Sequence, residues 1–420
     1  MVNVLVVGSG GREHALSWKL SNSEQVDQVF TAPGNGGTSQ NTPISVDDID
    51  GLAKFAHKKN CFTVIGPEAP LAAGIVDAFH AQNLPIFGPS KDATQLESSK
   101  IWAKEFMKRN SIPTAEFEIF NDAQKAKDFV KSYEKPMVIK ADGLASGKGV
   151  IVCDDKDEAF DAIETILTKK TFGDAGSRII IEERIDGVEA SYIALCDGKL
   201  GIPMATSQDH KRIFDDDKGP NTGGMGAYSP TPIIDDRMAC IVQEKIIDKT
   251  INAMHQEGIE FRGFLYAGIM IKDGKPYVLE YNVRMGDPEC QPILMRFDSD
   301  LYSYLQAASE GKLNELPEIS WKNEYSVCVV LASKGYPQSY PKDEVISGFD
   351  EISTNSFVFH AGTKKEDGKI LSNGGRVLGV TALGKTLQNA IDNAYASCEK
   401  IHWSSKYQRN DIGKKGISNL

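Results

Sequence analysis

A continuous apolar run, Val4-Leu5-Val6-Val7, breaks into Gly8-Ser9-Gly10-Gly11 and then into an amphipathic stretch over 12–20. A strand that is apolar on both faces must be covered on both, and a glycine turn leading straight into a helix is the first half of a β–α unit. Residues 26–31, 62–65 and 85–87 read as further strands, and 71–80 as a helix. Strands alternating with helices predict a parallel, doubly wound sheet. In such sheets ligands sit beyond the carboxyl ends of the strands. The glycine-rich turns at 8–11, 33–37 and 66–70 all fall there.

Downstream the pattern changes. A helix over 93–109 leads out of the first unit. Pro113, a strand over 116–120, and a helix over 122–133 capped by Asn121 open a small α+β module. Strands at 137–140, 150–153 and 178–183 and a helix at 157–169 complete it, with a glycine-rich turn at 142–149. From Glu189 the chain is strand-rich: 191–196, 264–271 and 276–282, the last two joined by the hairpin turn Lys272-Asp273-Gly274-Lys275. Between them, 208–230 is polar, rich in glycine and too long for a passive connection. A helix at 301–308, short strands from about 325 with a hairpin at 366–368, and a helix at 387–401 close the sequence. The fold class expected is α/β plus α+β in several domains, and 420 residues suit two to four of them.

The formal charge is −11, which argues against nucleic acid or an anionic membrane as the main partner. No apolar run approaches the ~18 residues of a spanning helix. The N-terminus lacks the basic region and cleavage site of a signal peptide. Seven dispersed cysteines, with no Cys-x-x-Cys, fit reduced thiols rather than a zinc cage or a disulfide framework.

The glycine turn after the first strand suits a phosphate held by Gly10, Gly11 and Arg12, with a merely tight turn as the alternative. It does not suit a dinucleotide, because Glu13 stands where the third glycine is needed and the second strand ends at Thr31-Ala32 without an acid for the ribose. The loop Asp142-Gly143-Leu144-Ala145-Ser146-Gly147-Lys148-Gly149 is not a Walker loop, since Asp142 and Gly149 replace its first glycine and its hydroxyl residue. A flexible lid over phosphates, with Lys148 as a point charge, fits better. Lys104 and Lys140, taken singly, read as solvated side chains.

Residues 277–284 carry most information. Side chains alternate along a strand, so Tyr277, Leu279, Tyr281 and Val283 would face the core, and Val278, Glu280, Asn282 and Arg284 the opposite side. Glu280 and Asn282 can share a hard cation through oxygen ligands, and Arg284 can clamp a carboxylate or phosphate. Gly286-Asp287-Pro288-Glu289 adds two acids. In the 208–230 segment, Asp209-His210-Lys211-Arg212 is a dense polar cluster, followed by backbone amides at 221–227. His210 reads equally well as structural or functional. Together these features predict phosphoryl transfer, in which positioning and charge neutralisation supply most of the catalysis.

At these residues the sequence resembles the phosphoribosylamine–glycine ligase (glycinamide ribonucleotide synthetase) family of the ATP-grasp superfamily. The resemblance runs in order through 8–14, 32–35, 66–70, 140–150, 205–212, 219–230, 263–268, 284–289, 360–362, 374–376 and 411–413. The most specific matches are Ser207-Gln208-Asp209-His210-Lys211-Arg212 and Arg284-Met285-Gly286-Asp287-Pro288-Glu289. Departures are slight, at Ser9, Val283 and Cys290.

The resemblance implies ligation of glycine to 5-phosphoribosylamine at the expense of ATP, through glycyl phosphate, in purine synthesis. It implies that Lys104, Lys140, Gly147 and Lys148 hold ATP phosphates. The segment Glu182-Glu183-Arg184-Ile185 would hold adenine, and Glu189 the ribose. Glu280 and Asn282 would bind Mg2+ or Mn2+. Lys211, Arg284 and Asp209 would act on the glycine carboxylate, the transferred phosphoryl and the glycine ammonium. Gly10, Gly11, Arg12, Glu68, His210 and Asp287 would form the phosphoribosylamine side. It also implies an N-terminal sheet domain (1–102), an ATP-grasp linker and lid (103–188), a central catalytic domain (189–322) and a C-terminal domain (323–420), in a cytoplasmic, monomeric enzyme. Another ATP-grasp carboxylate–amine ligase, a nicotinamide oxidoreductase and a non-catalytic nucleotide-binding regulator are the competing readings.

Overall fold

The computed structural model describes residues 1–144 and 149–418. The N-terminal sheet has five strands, β1 (Val2–Gly8), β2 (Val26–Pro33), β3 (Gln40–Asn41), β4 (Cys61–Ile65) and β5 (Ile86–Phe87), in the order β3-β2-β1-β4-β5. Every pairing is parallel. Val4 to Val7 of the central strand are wholly buried, and they serve two cores. Leu5 and Val7 pack with Leu52, Ala56, Ile75 and Phe79 on one face. Val4 and Val6 pack with Ala15, Leu16 and Leu20 of the helix Gly11–Leu20 on the other.

Two helices expected to be continuous are broken, each for a local reason. The 71–80 stretch is two helices, Glu68–Ala73 and Ile75–His80, separated by Gly74 at φ +93°. The 93–109 stretch divides into Gln95–Ser98 and Lys100–Arg109, because Ser99 is extended and its hydroxyl caps the second helix at the Trp102 N–H. The helix Ile49–Lys59, capped by Asp48, was not anticipated. Its apolar stripe, Ile49, Leu52, Ala53 and Ala56 with Phe55 at its edge, packs on the core of the N-terminal sheet.

Strands β6 (Phe117–Phe120), β7 (Met137–Ala141), β8 (Val150–Cys153) and β9 (Ile179–Glu183) form an antiparallel sheet in the order β6-β9-β7-β8. It has its own small core beneath the helices Ala123–Ser132 and Lys156–Ile163. The cap of the first helix is Asp122, not Asn121: the Asp122 carboxylate accepts the Lys125 N–H at 2.8 Å.

Strands β10 (Val188–Asp197) and β11 (Gly201–Pro203) begin a third sheet. The 208–230 segment then forms β12 (Gln208–Asp209), β13 (Arg212–Phe214), β14 (Lys218–Asn221) and β15 (Gly226–Ser229). The long hairpin β16 (Arg262–Lys272) and β17 (Lys275–Asn282) follows, and the third sheet runs β11-β10-β16-β17. One face, with Tyr192, Ala194, Leu265, Ala267, Ile269, Val278 and Tyr281, packs on the helices Asp236–Val242 and Lys249–Gln256.

The expected alternation along 277–284 fails at one point. Gly268 pairs with Glu280 but Ile269 pairs with Val278, so Leu279 is an extra residue in a β-bulge. The bulge moves Val278 into the core beside Tyr281, and leaves Tyr277 and Leu279 half-buried. Glu280 and Asn282 keep their shared face.

The remaining strands are β18 (Tyr325–Ser333), β19 (Val345–Ile346), β20 (Ser356–His360), β21 (Thr363–Glu366), β22 (Lys369–Ser372), β23 (Arg376–Gly384) and β24 (Lys406–Tyr407). The main sheet of this part runs β12-β15-β18-β23-β20, with β24 also on β18. The two ends of the 208–229 segment, β12 and β15, are therefore built into the last sheet of the chain, while β13 and β14 pair only with each other. All seven cysteines are free, and six are buried. Among the described residues, no helix is long and apolar enough to cross a membrane.

Candidate active site

The polar face of the third sheet is set by register. Ser191 lies opposite Gly268, Gly268 opposite Glu280, and Tyr266 opposite Asn282. Residues directly opposite in antiparallel strands share a face, so Ser191, Tyr266, Glu280 and Asn282 form one polar surface. Lys211 reaches this surface from beside β12. Its ammonium pairs with Glu189 and lies 3.6 Å from Glu280 Oε1. Burial opposes a charge on Lys211, but Glu189 and Glu280 outweigh it and hold its pKa well above the ordinary lysine value. Burial likewise opposes the Glu280 carboxylate, yet Lys211, Lys140 and Lys100 together hold its pKa below the ordinary value. Glu280 is thus an anion among cations.

A second cluster faces it from the lid sheet. Lys104 and Lys140 both contact Glu182 Oε2, at 3.1 and 3.0 Å. Lys140 also donates to the Leu279 carbonyl at 2.9 Å, the very residue displaced by the bulge. Burial pushes the Lys104 ammonium down to about 8 against the pull of Glu182. Glu182 Oε1 is buried without a hydrogen-bond partner. Two buried ammonium groups on one carboxylate leave a surplus positive charge, suited to phosphate oxygens. Glu183, the next residue, turns its carboxylate outward to Lys135 at 2.8 Å. Ile185 is buried just beyond the strand.

A third cluster joins the N-terminal sheet to the end of β17. Arg284 pairs with Glu68 at 3.2 Å and Glu97 at 2.7 Å, and Glu97 also accepts the Val283 N–H at 2.7 Å. Arg12 bonds Glu13 at 2.6 Å and the Met285 carbonyl at 3.1 Å. The Glu13 carboxylate in turn accepts the Gly10 N–H at 2.6 Å, closing the turn after β1. A Cβ at Gly10 or Gly11 would displace the end of the Glu13 or Gln291 side chain, so Glu13 and Gln291 close in on these two glycines. Asp287 accepts from Gln291 at 2.9 Å and from Arg376 at 3.0 Å. Burial opposes its charge, but Arg376 and Arg12 hold its pKa below the ordinary carboxylate value.

The anticipated residues thus gather as Lys104, Lys140 and Glu182; Glu189, Lys211, Glu280 and Asn282; and Gly10, Gly11, Arg12, Glu68, Arg284 and Asp287. Asp209 lies near the second group, its carboxyl pushed up by burial and then by Glu289. His210 is not with them. It is fully buried, with Nδ1 3.2 Å from the Gly226 carbonyl and Nε2 accepting the Gly413 N–H at 3.4 Å. The period of two sends it to the opposite side from Asp209 and Lys211. Gly147 and Lys148 lie outside the described residues.

Sequence reasoning missed Glu97, Lys100, Ser191, Tyr266 and Arg376. Lys100 donates to the Gly143 carbonyl at the root of the lid loop, at 2.8 Å. Of these, Tyr266 and Arg376 had a signal, since they fall in the stretches 263–268 and 374–376 that match the resembled family. His14 and His360 also fall in matching stretches, but no role was read for them. The His360 N–H donates to His14 Nδ1 at 2.8 Å, joining the first domain to the last sheet.

Among the described residues, no three His, Cys, Asp or Glu converge on one cation position. Glu280 and Asn282 offer two hard oxygen donors on one face. That suits a divalent cation that completes its shell with phosphate and water oxygens rather than one held in an all-protein cage.

A buried lysine pair on one glutamate of the antiparallel β6–β9 sheet, next to a carboxylate–amide pair on the third sheet, suits an ATP-grasp enzyme. The comparisons with known proteins agree. Residues 2–97, 98–290 and 326–415 match the N, ATP-grasp (A) and C domains of phosphoribosylglycinamide synthetase. The chain belongs to the phosphoribosylglycinamide synthetase family. It is 50% identical over 425 residues to a phosphoribosylamine–glycine ligase of Vibrio cholerae, covering 99% of each chain. The crystal structure of phosphoribosylamine–glycine ligase from Thermotoga maritima superposes with a TM-score of 0.84 at 35% identity, over 98% of this chain and 100% of that one. Biotin carboxylase from Campylobacter jejuni shares the fold alone, with a TM-score of 0.70 at 16% identity, covering 98% and 94%.

Proposed function

We infer that this chain is an ATP-dependent carbon–nitrogen ligase that joins glycine to 5-phosphoribosylamine, giving glycinamide ribonucleotide, ADP and phosphate in purine biosynthesis. The observation that carries the reading is the convergence of Lys211, Glu280 and Asn282 in a chain whose whole length follows one family. The glycine carboxylate attacks the γ-phosphorus of ATP, the bond to ADP breaks, and glycyl phosphate forms. The ribosylamine nitrogen then attacks its carbonyl carbon, and phosphate leaves with the bonding electrons.

Lys104, Lys140 and Lys148 neutralise the ATP phosphates, beneath the lid glycines that include Gly147. The backbone of Glu182, Glu183 and Ile185 takes the adenine, and Glu189 the ribose. Glu280 and Asn282 would hold Mg2+ or Mn2+, which would supply charge neutralisation for phosphoryl transfer. Lys211 and Arg284 stabilise the transferred phosphoryl and the glycine carboxylate, with Asp209 toward the ammonium. Gly10, Gly11, Arg12, Glu68 and Asp287 orient the phosphoribosylamine. The division at 102, 188 and 322, a cytoplasmic setting supported by free buried cysteines, and a monomeric state belong to the same proposal.

The test is ADP release with ATP, Mg2+, glycine and freshly made phosphoribosylamine, omitting each in turn. Turnover that requires all four supports the reading. ADP release that ignores glycine or phosphoribosylamine overturns it in favour of another ATP-grasp carboxylate–amine ligase.

A further inference from the structure

Lys211 stands between β12 and β13, and the residues on both sides of it are held by the C-terminal segment 409–413. On one side, Arg409 Nη1 donates to the Arg212 carbonyl at 2.9 Å. On the other, the Gly413 N–H donates to His210 Nε2 at 3.4 Å. Because Nε2 accepts, the ring proton is on Nδ1, 3.2 Å from the Gly226 carbonyl. His210 therefore links the C-terminal segment to β15 through its ring.

The ribbon β13–β14 does not hold Lys211 by itself. Among the described residues its two strands pair only with each other, and an isolated two-stranded ribbon is marginal in water. Its turn contains Asp216 at φ +57° and Asp217 at φ +51°, left-handed conformations that persist where the surroundings impose them. Those surroundings are the C-terminal segment. The Tyr407 hydroxyl donates to the Ile213 carbonyl at 3.0 Å, and the Asn410 N–H to Asp215 at 2.8 Å. Asp411 accepts the Asp216 N–H at 3.0 Å, and Arg409 reaches Asp217 at 3.1 Å. Arg409 is wholly buried, and Asp411 grips its guanidinium through two bonds of 2.7 Å. Asp217 also pairs with Lys415, so two cations balance two anions. A buried ion cluster adds little net stability; what it can fix is a single arrangement. At the base of the ribbon, the Lys211 carbonyl accepts from the Thr222 N–H at 2.8 Å and the Thr222 hydroxyl at 2.9 Å. Placing the ribbon therefore places the Lys211 backbone.

We propose that Arg409 and His210 are positioning residues for Lys211: docking of 409–413 against the β13–β14 ribbon aims the Lys211 ammonium at the reacting phosphoryl group. This rests on the role of Lys211 in the ligase reading and deepens it. It gives a task to His210 and to the stretch 411–413, which the reaction otherwise leaves unused.

The test is a double-mutant cycle on the full chain, read by steady-state ADP release with ATP, glycine and phosphoribosylamine. Arg409→Lys keeps the buried charge but loses the fork that spans Arg212, Asp217 and Asp411. His210→Asn keeps a donor for Gly226 and loses the acceptor for Gly413. Each is expected to lower kcat about tenfold, with the KM for ATP unchanged. In a Lys211→Met background there is no ammonium to aim, and the same changes should lower kcat by no more than about a further twofold. A full tenfold loss in both backgrounds marks a general structural defect and overturns the proposal. An ordinary kcat in the folded single variants overturns it too, and either variant decides the matter if the other does not fold. Parental turnover in Lys211→Met removes the role of Lys211 from the ligase reading, and the proposal with it, which separates the two failures.

Discussion

Arg376 Nη2 lies 3.0 Å from Asp287 Oδ2, and Nη1 of the same guanidinium takes the Asp287 backbone carbonyl at 2.6 Å. Nη1 also reaches the Gly223 and Gly224 carbonyls, at 2.5 and 3.3 Å. One side chain from the last domain therefore fixes the turn after β17 and the glycine loop after β14 against each other. Arg376→Ala takes the ion pair from the half-buried Asp287 and leaves it the Gln291 hydrogen bond. It is expected to lower kcat/KM for phosphoribosylamine on the order of 100-fold, about 2.7 kcal/mol, and Arg376→Lys to recover only part because the fork is lost. Steady-state kinetics with varied phosphoribosylamine measure this, and an Arg376→Ala enzyme with ordinary kinetics would show that the tie is ornamental.

Glu280→Gln removes the anion around which Lys211, Lys140 and Lys100 are arranged. Turnover is expected to fall on the order of 100-fold while the circular dichroism spectrum and melting temperature stay close to those of the parent. Chelation of divalent cations should stop ADP release in the parent as well. Near-normal activity in folded Glu280→Gln sinks the assignment of Glu280 as a metal ligand.

Arg12→Ala opens the third cluster on the side of the N-terminal sheet, far in sequence from the lysine pair at Glu182. The KM for phosphoribosylamine is expected to rise at least about tenfold, and that for ATP to change by no more than about twofold. Equal effects on the two substrates would move the phosphoribosylamine site elsewhere.

Burial pushes the His14 imidazole down to about 3 and that of His360 to about 4. The unfolded chain, with ordinary values near 6.5, binds protons that the folded chain refuses. The stability contribution is therefore complete above about pH 6.5 and is lost as the pH falls toward 4, at up to about 1.4 kcal/mol per pH unit for each group. Denaturant unfolding at pH 7, 6 and 5 should show this slope, and His14→Gln should flatten it. A variant as acid-sensitive as the parent would shift the effect to other groups, His210 among them.

Local patterns carried much of this. The alternation at the N-terminus foretold a parallel sheet, and the two periodicities located most strands. The turns at 8–11 and 66–70 marked where Arg12 and Glu68 converge. The strand pattern at 280–282 placed Glu280 and Asn282 on one face, whereas the reading of 209–212 as one polar cluster did not separate His210 from Asp209 and Lys211. Pattern reading failed where one residue overrides a period. Gly74 and Ser99 split helices through backbone conformation, and the Leu279 bulge sent Val278 into the core.

The sequence by itself determined the order of β–α units, the faces of most strands and the family, because periodicity and short motifs depend only on neighbours in the chain. Only the tertiary structure decided that Lys104 and Lys140 share Glu182, that Arg376 meets Asp287, and that the Ser191 hydroxyl donates to Glu289. Those contacts join residues 42 to 98 positions apart. They arise when separate sheets pack, and the burial that gives them their charge states exists only once the packing is made.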